Sequence, residues 1–277
     1  MTMKIGVRAH DFGRMTPCEL AKTIKEAGFQ TAQLALTKAI SGVNSFGDVG
    51  ASTLEQVRRA FSDNGIEIGV LGCYVEIGLS DRDARLKEAE KFFTGLEYAR
   101  ELGAKLVGTE TTRFPPGLDA EREPAYQNLK DSVLRMAEQA EKSGVNIGIE
   151  PVAEHTLNSA ELTRRLLDEV NSERLMVIFD PVNLILTQGD MDNQDEIFAR
   201  FLETVGSKTA ALHVKNVVLE DGEKKWRNIG KGAVRYEPIF KWLKENEPNT
   251  REIPVLREEL NPENFKADIE EMRRLAM

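Results

Sequence analysis

With 277 residues, 41% of them hydrophobic and 30% charged, the chain is long enough for a sizeable core and ordinary in composition for a globular protein. No apolar run approaches the roughly 18 residues of a membrane span, and MTMKIGVRAHDF lacks the apolar core of a signal peptide, so a cytoplasmic location is the expectation. A formal net charge of −9 argues against nucleic acid as the main partner, since phosphate binding draws on a basic surface, and two cysteines, Cys18 and Cys73, are too few for a disulfide framework.

Short apolar runs alternate with helical patterns from one end of the chain to the other. The first strand is read at Lys4–Ala9, and TPCELAKTIKEAG follows with Leu20, Ile24 and Ala27 three and four apart and a stop at Gly28. A second strand, Thr31–Leu36, precedes TLEQVRRAFSDNG, which ends on Gly65, and Glu67–Cys73 and Lys105–Glu110 are the third and fourth strands. LKDSVLRMAEQAEKSG, closed by Gly144, leads into Asn146–Glu150, and SAELTRRLLDEV leads into Leu175–Asp180. EIFARFLETVG precedes Thr209–Val214, YEPIFKWLKEN precedes Ile253–Glu258, and NFKADIEEMRRLA closes the chain.

The count is eight strands, with helical segments between and after them. The strands are rich in Ile, Val, Leu and Ala, as parallel strands covered on both faces must be. Strand–helix alternation without a Pro/Gly/Ser-rich linker favours one closed (β/α)8 barrel, a TIM barrel, over residues 1–277. An open doubly wound sheet is the competing arrangement, and it calls for a glycine-rich phosphate loop after an early strand. The first strand is followed by AHDFGRMT, which is no such loop.

In a parallel barrel, chemistry gathers at the carboxyl ends of the strands. The early strands end near Arg8 and His10, Lys38, Glu76, and Glu110 with Thr111; the last four end at Glu150, Asp180, His213, and Glu258 or Glu259. Any one of these acids alone reads as a helix cap or an ion-pair partner, and a lone histidine there reads as a hydrogen-bonded core residue. Four on successive strands read differently. Each follows an apolar run, where an unpaired charge is costly, and three converging carboxylates repel one another unless a cation sits among them. A divalent ion does this, with a neutral imidazole as the fourth ligand. Oxygen-rich ligation suits Mn²⁺ best, with Mg²⁺, Co²⁺ or Zn²⁺ also compatible.

At IGIEP, VIFDPVN, LHVKN and IPVLREE the sequence resembles the xylose-isomerase-like barrel superfamily, which includes sugar isomerases, ketose 3-epimerases, inosose dehydratase and apurinic endonucleases. The resemblance implies a metal held by Glu150, Asp180, His213 and Glu258. Glu258 is taken over Glu259 because Pro254 to Glu258 keeps the family's Pro-x-x-x-Glu spacing. It further implies that Glu150 and Glu258 carry protons to and from the carbon beside a sugar carbonyl, through a metal-stabilised enediolate. The implied activity is that of an isomerase or epimerase acting on a ketose, cyclitol or sugar phosphate. A dehydratase-like lyase and a non-catalytic sugar-binding barrel are the alternatives. The superfamily often forms homo-oligomers.

Asn183 stands where many members carry a histidine, which speaks against a multinuclear site and leaves an amide for a sugar hydroxyl. The endonuclease branch needs several further histidines for its zinc cluster, and only His10 and His155 remain. Lys215, two residues after His213, and His155, on the loop after Glu150, are further candidates for substrate contact, against the plainer readings of a surface lysine and a capping histidine. Trp226 lies on a polar insertion, VLEDGEKKWRNIGKG, where it has a sugar ring, an adjacent subunit or its own loop to pack against. GKG at 230–232 is too short a pattern to indicate phosphate binding.

Overall fold

A computed structural model describes residues 3–246, 250, 252–261 and 265–277. Its strands are β1 (Ile5–Arg8), β2 (Thr31–Leu34), β3 (Glu67–Gly72), β4 (Leu106–Glu110), β5 (Asn146–Glu150), β6 (Leu175–Phe179), β7 (Thr209–Val214), β8 (Asn216–Glu220), β9 (Glu223–Arg227) and β10 (Val255–Arg257). Eight of them pair in parallel and close on themselves in the order β1-β10-β7-β6-β5-β4-β3-β2. Every strand read from the sequence is present, shortened by one to three residues where an end passes into a loop or helix. The (β/α)8 barrel is therefore the architecture.

The α-helices among the described residues are α1 (Pro17–Glu26), α2 (Leu36–Ala39), α3 (Ala51–Asp63), α4 (Arg82–Leu102), α5 (Arg122–Ser143), α6 (Ala160–Val170), α7 (Gln188–Asp192), α8 (Gln194–Val205), α9 (Glu237–Glu245) and α10 (Phe265–Ala276). Their ends follow local chemistry. Thr16 and Glu19 form a reciprocal capping box at the start of α1. Asp81 caps α4 through the Ala84 amide at 2.7 Å. The left-handed Gly144 ends α5 at φ +74, a conformation that costs a residue with a Cβ. α4 has no clean apolar stripe, because its buried positions include Arg85 and Gly95 beside Phe92 and Leu96. None of the described helices is long and apolar enough to cross a membrane.

Two layers of apolar packing hold the barrel. Outside the strands, helix residues such as Leu20, Ile24, Phe198 and Phe201 meet the strand faces, with the Phe179 and Phe201 rings stacked 4.5 Å apart. Each such side chain contributes about 1.5–3 kcal/mol by leaving water. Inside, Val70, Leu106, Ile178, Ala211 and Leu256 form a small separate cluster. Ile178 fills the barrel because β4 offers Gly108, where a Cβ would come within 2.7 Å of its Cδ1. This plug is the floor beneath the strand ends.

The polar insertion after β7 folds as an antiparallel hairpin, β8–β9. Its two-residue turn, Asp221-Gly222, takes φ of 53 and 79, the left-handed pair that a tight hairpin demands. The return of the hairpin is anchored on α10. Asp268 accepts from the Ile229 amide at 2.6 Å and from Asn228 Nδ2 at 3.0 Å, and pairs with the buried Arg257 Nε at 2.8 Å.

Candidate metal centre

Four neighbouring strands in the barrel order, β5, β6, β7 and β10, bring one polar group each to the same end. Glu150 is the last residue of β5, Asp180 follows β6, His213 is the fifth residue of β7, and Glu258 follows β10. All four are buried, the histidine completely. In register, Leu256 lies opposite His213, so Glu258 stands two residues beyond it on the adjoining strand.

Their polar atoms surround one point. His213 Nδ1 lies 3.4 Å from Glu150 Oε1, 3.6 Å from Asp180 Oδ2 and 3.6 Å from Glu258 Oε1. Ligand atoms of Glu150, Asp180 and His213 all fall within 4.8 Å of one another; Glu258 lies outside that mutual set and approaches it at His213 Nδ1. These separations are long for direct hydrogen bonds but match the edges of a coordination shell. Ligands about 2.1 Å from a tetrahedral ion are about 3.4 Å apart.

Two further observations support the fit. His213 Nδ1 is buried without a hydrogen-bond partner, which buried polar atoms rarely are. Asp180 Oδ2, which faces the same space, is met by the Lys215 ammonium at 2.7 Å. The ring orientation agrees: His213 Nε2 donates to Gln33 Oε1 at 2.7 Å and turns Nδ1 toward the carboxylates. Burial works against charging the ring, but Glu258 and Glu150 outweigh it and raise its pKa well above the ordinary value, so a metal ion would take the place of the Nδ1 proton. Charge agrees as well. Three carboxylates meet a single close ammonium, that of Lys215, 3.2 Å from Glu258 Oε2 and 2.7 Å from Asp180 Oδ2. Arg8 reaches Glu258 at only 3.7 Å and is shared with Asp11 and Glu259. A divalent cation would close the remaining deficit. The residues fit such an ion, with oxygen as the majority donor.

Side-chain protonation follows from this crowding. Burial pushes the Glu150 carboxyl up to about 7, Asp180 and Glu258 add to that, and His213 opposes it. Burial also works to raise Asp180 and Glu258, but nearby cations outweigh it. Lys215 and His213 hold Asp180 well below the usual carboxylate range, and His213, Lys215 and Arg8 lower Glu258.

The other candidates from the sequence fall into place around this centre. Asn183 Nδ2 donates to Glu150 Oε1 at 2.6 Å, so the amide touches a predicted ligand. Asp180 Oδ1 is fixed by the amides of Val182 and Asn183 at 2.9 and 3.2 Å, which turns Oδ2 inward. Lys215 is buried against Asp180 and Glu258 and is not a surface lysine. His155 sits further out, 3.8 Å from Glu110 Oε2, with its Nδ1 buried and unpartnered. Glu259 takes φ +55 and pairs with Arg8 at 2.8 Å, away from the four-residue group, while Glu258 faces it.

Three contributors escaped the sequence reading. Gln33, at the end of the apolar β2, bonds His213 and also donates to Tyr74 Oη at 2.8 Å and Glu258 Oε1 at 3.3 Å. A glutamine inside TAQLAL was the available signal. Tyr74 and Lys224 carried none, since their contacts arise only in three dimensions: Lys224 Nζ crosses from the hairpin to donate to Val182 O at 2.8 Å.

A family model described as a xylose isomerase-like TIM barrel matches residues 21–275. The chain belongs to that family. Among its relatives is a probable endonuclease 4 of Campylobacter concisus (strain 13826), 26% identical over 217 residues, covering 73% of this chain and 72% of the relative. This xylose isomerase-like barrel also superimposes on solved structures. The 3-keto-D-glucoside 4-epimerase YcjR of E. coli matches with a TM-score of 0.75 at 19% identity, over 98% of this chain and 99% of that one. A xylose isomerase-like TIM barrel protein from Mycobacterium smegmatis in complex with magnesium matches with a TM-score of 0.72 at 16% identity, over 99% and 96%. At such identities the likeness speaks for the fold.

Proposed function

We propose that this chain is a divalent-metal-dependent isomerase or epimerase acting on a ketose, cyclitol or sugar phosphate by proton transfer beside a carbonyl. The observation that carries the proposal is the convergence of three carboxylates on His213 Nδ1, at 3.4–3.6 Å. Glu150, Asp180, His213 and Glu258 would hold the ion. When bound, a divalent cation polarises a carbonyl and its neighbouring hydroxyl and so acidifies the C–H between them. Manganese is the preferred ion on donor type, with magnesium, cobalt and zinc compatible.

Glu150 and Glu258 are the outer pair of the four strand ends and approach from β5 and β10, with β6 and β7 between them. A substrate carbon held over the centre therefore meets one carboxylate from either side. One removes the proton and the other returns it, to the opposite face in an epimerisation or to the neighbouring carbon in an isomerisation. Asn183 and Gln33 keep the two carboxylates aimed, through bonds of 2.6 and 3.3 Å. Lys215, Asn183 and His155 would receive sugar oxygens. The epimerase among the structural neighbours is in keeping with this chemistry.

The test is metal analysis of the purified protein, followed by incubation with candidate ketoses and cyclitol ketones in deuterium oxide. Deuterium recovered at the carbon beside the carbonyl supports the proposal. Bound metal without exchange or turnover of any sugar points instead to a binding barrel. Loss of water from the sugar points to a dehydratase. Cleavage of abasic DNA favours the endonuclease reading that the Campylobacter relative raises.

A further inference from the structure

Trp226 is one of two tryptophans in the chain and is 43% exposed, on a hairpin whose sequence is otherwise strongly polar. Alternation along β9 divides that hairpin into two faces. Lys224 and Trp226 share one face, with Val217 opposite Trp226 and fully buried. Glu223, Lys225 and Arg227 occupy the other, where Arg227 pairs with Glu220 at 2.6 Å. The first face is turned toward the barrel mouth. Lys224 Nζ pins it to Val182 O in the turn that carries Asp180, at 2.8 Å. The indole centroid is 5.8 Å from Lys215 Nζ, and that same ammonium is 2.7 Å from Asp180 Oδ2. One flat, half-exposed aromatic face thus lies beside the ammonium that borders the candidate centre.

We propose that Trp226 is the stacking platform for the C–H face of a cyclic sugar or cyclitol, and that it selects ring-form substrates over open-chain ones. This rests on the sugar-processing reading given above and narrows its substrate class. The indole presents a rigid apolar plane of low conformational cost, to which the axial hydrogens of a pyranose or cyclitol are complementary. An open-chain polyol offers no such plane and loses several rotors on being flattened against one. Lys215, near the limit of cation–π range, leaves the outer part of the ring free for this contact. The Lys224 tether holds the platform in register with the centre.

Fluorescence provides the test, because Trp242→Phe leaves Trp226 as the sole tryptophan. With magnesium-loaded protein, myo-inositol or methyl α-D-glucopyranoside should change the emission saturably, and D-glucitol should not. In the otherwise unaltered chain, calorimetry should find ring-locked binding about tenfold weaker in Trp226→Ala and within about threefold of the parent in Trp226→Phe. Unchanged affinity in Trp226→Ala overturns the proposal, as does an equal response to glucitol and the ring-locked polyols. A change of oligomeric state in Trp226→Ala by sedimentation also overturns it, since the indole would then be a subunit contact. Deuterium exchange into open-chain ketoses with no response at Trp226 would sink the stacking role and leave the metal chemistry standing. Failure to bind any metal would sink the chemistry itself.

Discussion

Gln33 and His213, far apart in sequence, meet through a 2.7 Å hydrogen bond from His213 Nε2 to the Gln33 amide oxygen. That one contact orients the only histidine in the four-residue group and turns its Nδ1 toward Glu150, Asp180 and Glu258. The other end of the same amide donates to Glu258. A neutral side chain on β2 therefore aligns two candidate ligands, one on β7 and one just after β10.

Removing this support should weaken metal binding without unfolding the barrel. Gln33→Leu is expected to lower affinity about 10–100-fold, the usual loss when a ligand histidine is left unanchored. Gln33→Glu, which still accepts from Nε2, should lose less. Titration calorimetry with Mn²⁺ and Mg²⁺ compares the two; equal affinity in Gln33→Leu and the parent would show that the contact is dispensable.

Asn183 makes a parallel case at Glu150, whose carboxylate receives its amide at 2.6 Å. Asn183→Ala is expected to slow solvent deuterium exchange into substrate by about tenfold or more through loss of one charge-assisted hydrogen bond. Asn183→Asp should be worse, since it sets a like charge against Glu150. Exchange followed by mass spectrometry decides; a faster Asp variant would contradict this role.

The barrel and its four-residue group were legible in the sequence for the same reason. Strands buried on both faces are written in apolar residues, so Glu150, Asp180, His213 and Glu258 stand out as breaks at the ends of such runs. Glu258 was preferred to Glu259 only through the Pro-x-x-x-Glu spacing of the family the sequence resembles, and the left-handed backbone at Glu259, φ +55, is what turns that side chain to Arg8. Gln33 was not legible because a polar residue within a strand carries no mark of its partner. Lys215 was visible beside His213, but its contacts with Asp180 and Glu258 depend on how three strand ends converge. The hairpin was read as a polar insertion, although its Asp221-Gly222 turn was a signal for β8–β9.

His10 should titrate far below an ordinary histidine. Burial lowers its pKa to about 4, with Arg8 and Lys38 adding and Glu258 opposing. The sign for stability follows: between about 6.5 and 4 the unfolded chain binds a proton that the folded chain refuses, so stability falls as pH drops through that window. NMR titration should place the His10 midpoint near 4, and His10→Asn should flatten the pH dependence of unfolding there. A midpoint near 6.5 would remove the argument.

Away from the centre, Arg257 and Asp268 form a buried pair at 2.8 Å that also secures Ile229 at the foot of the hairpin. Asp268→Ala leaves the guanidinium buried and uncompensated, and should cost about 3–5 kcal/mol in chemical denaturation. Arg257→Met combined with Asp268→Leu should recover much of that loss. A double variant as unstable as Asp268→Ala would contradict the assignment of the cost to the stranded charge.

The most direct measurement is anomalous X-ray scattering from crystals soaked with Mn²⁺. One peak is expected in the barrel mouth, within bonding distance of His213 Nδ1 and of carboxylate oxygens from Glu150, Asp180 and Glu258. A mouth without a peak, or an ion bound by other residues, would contradict the assignment on which the proposed chemistry stands.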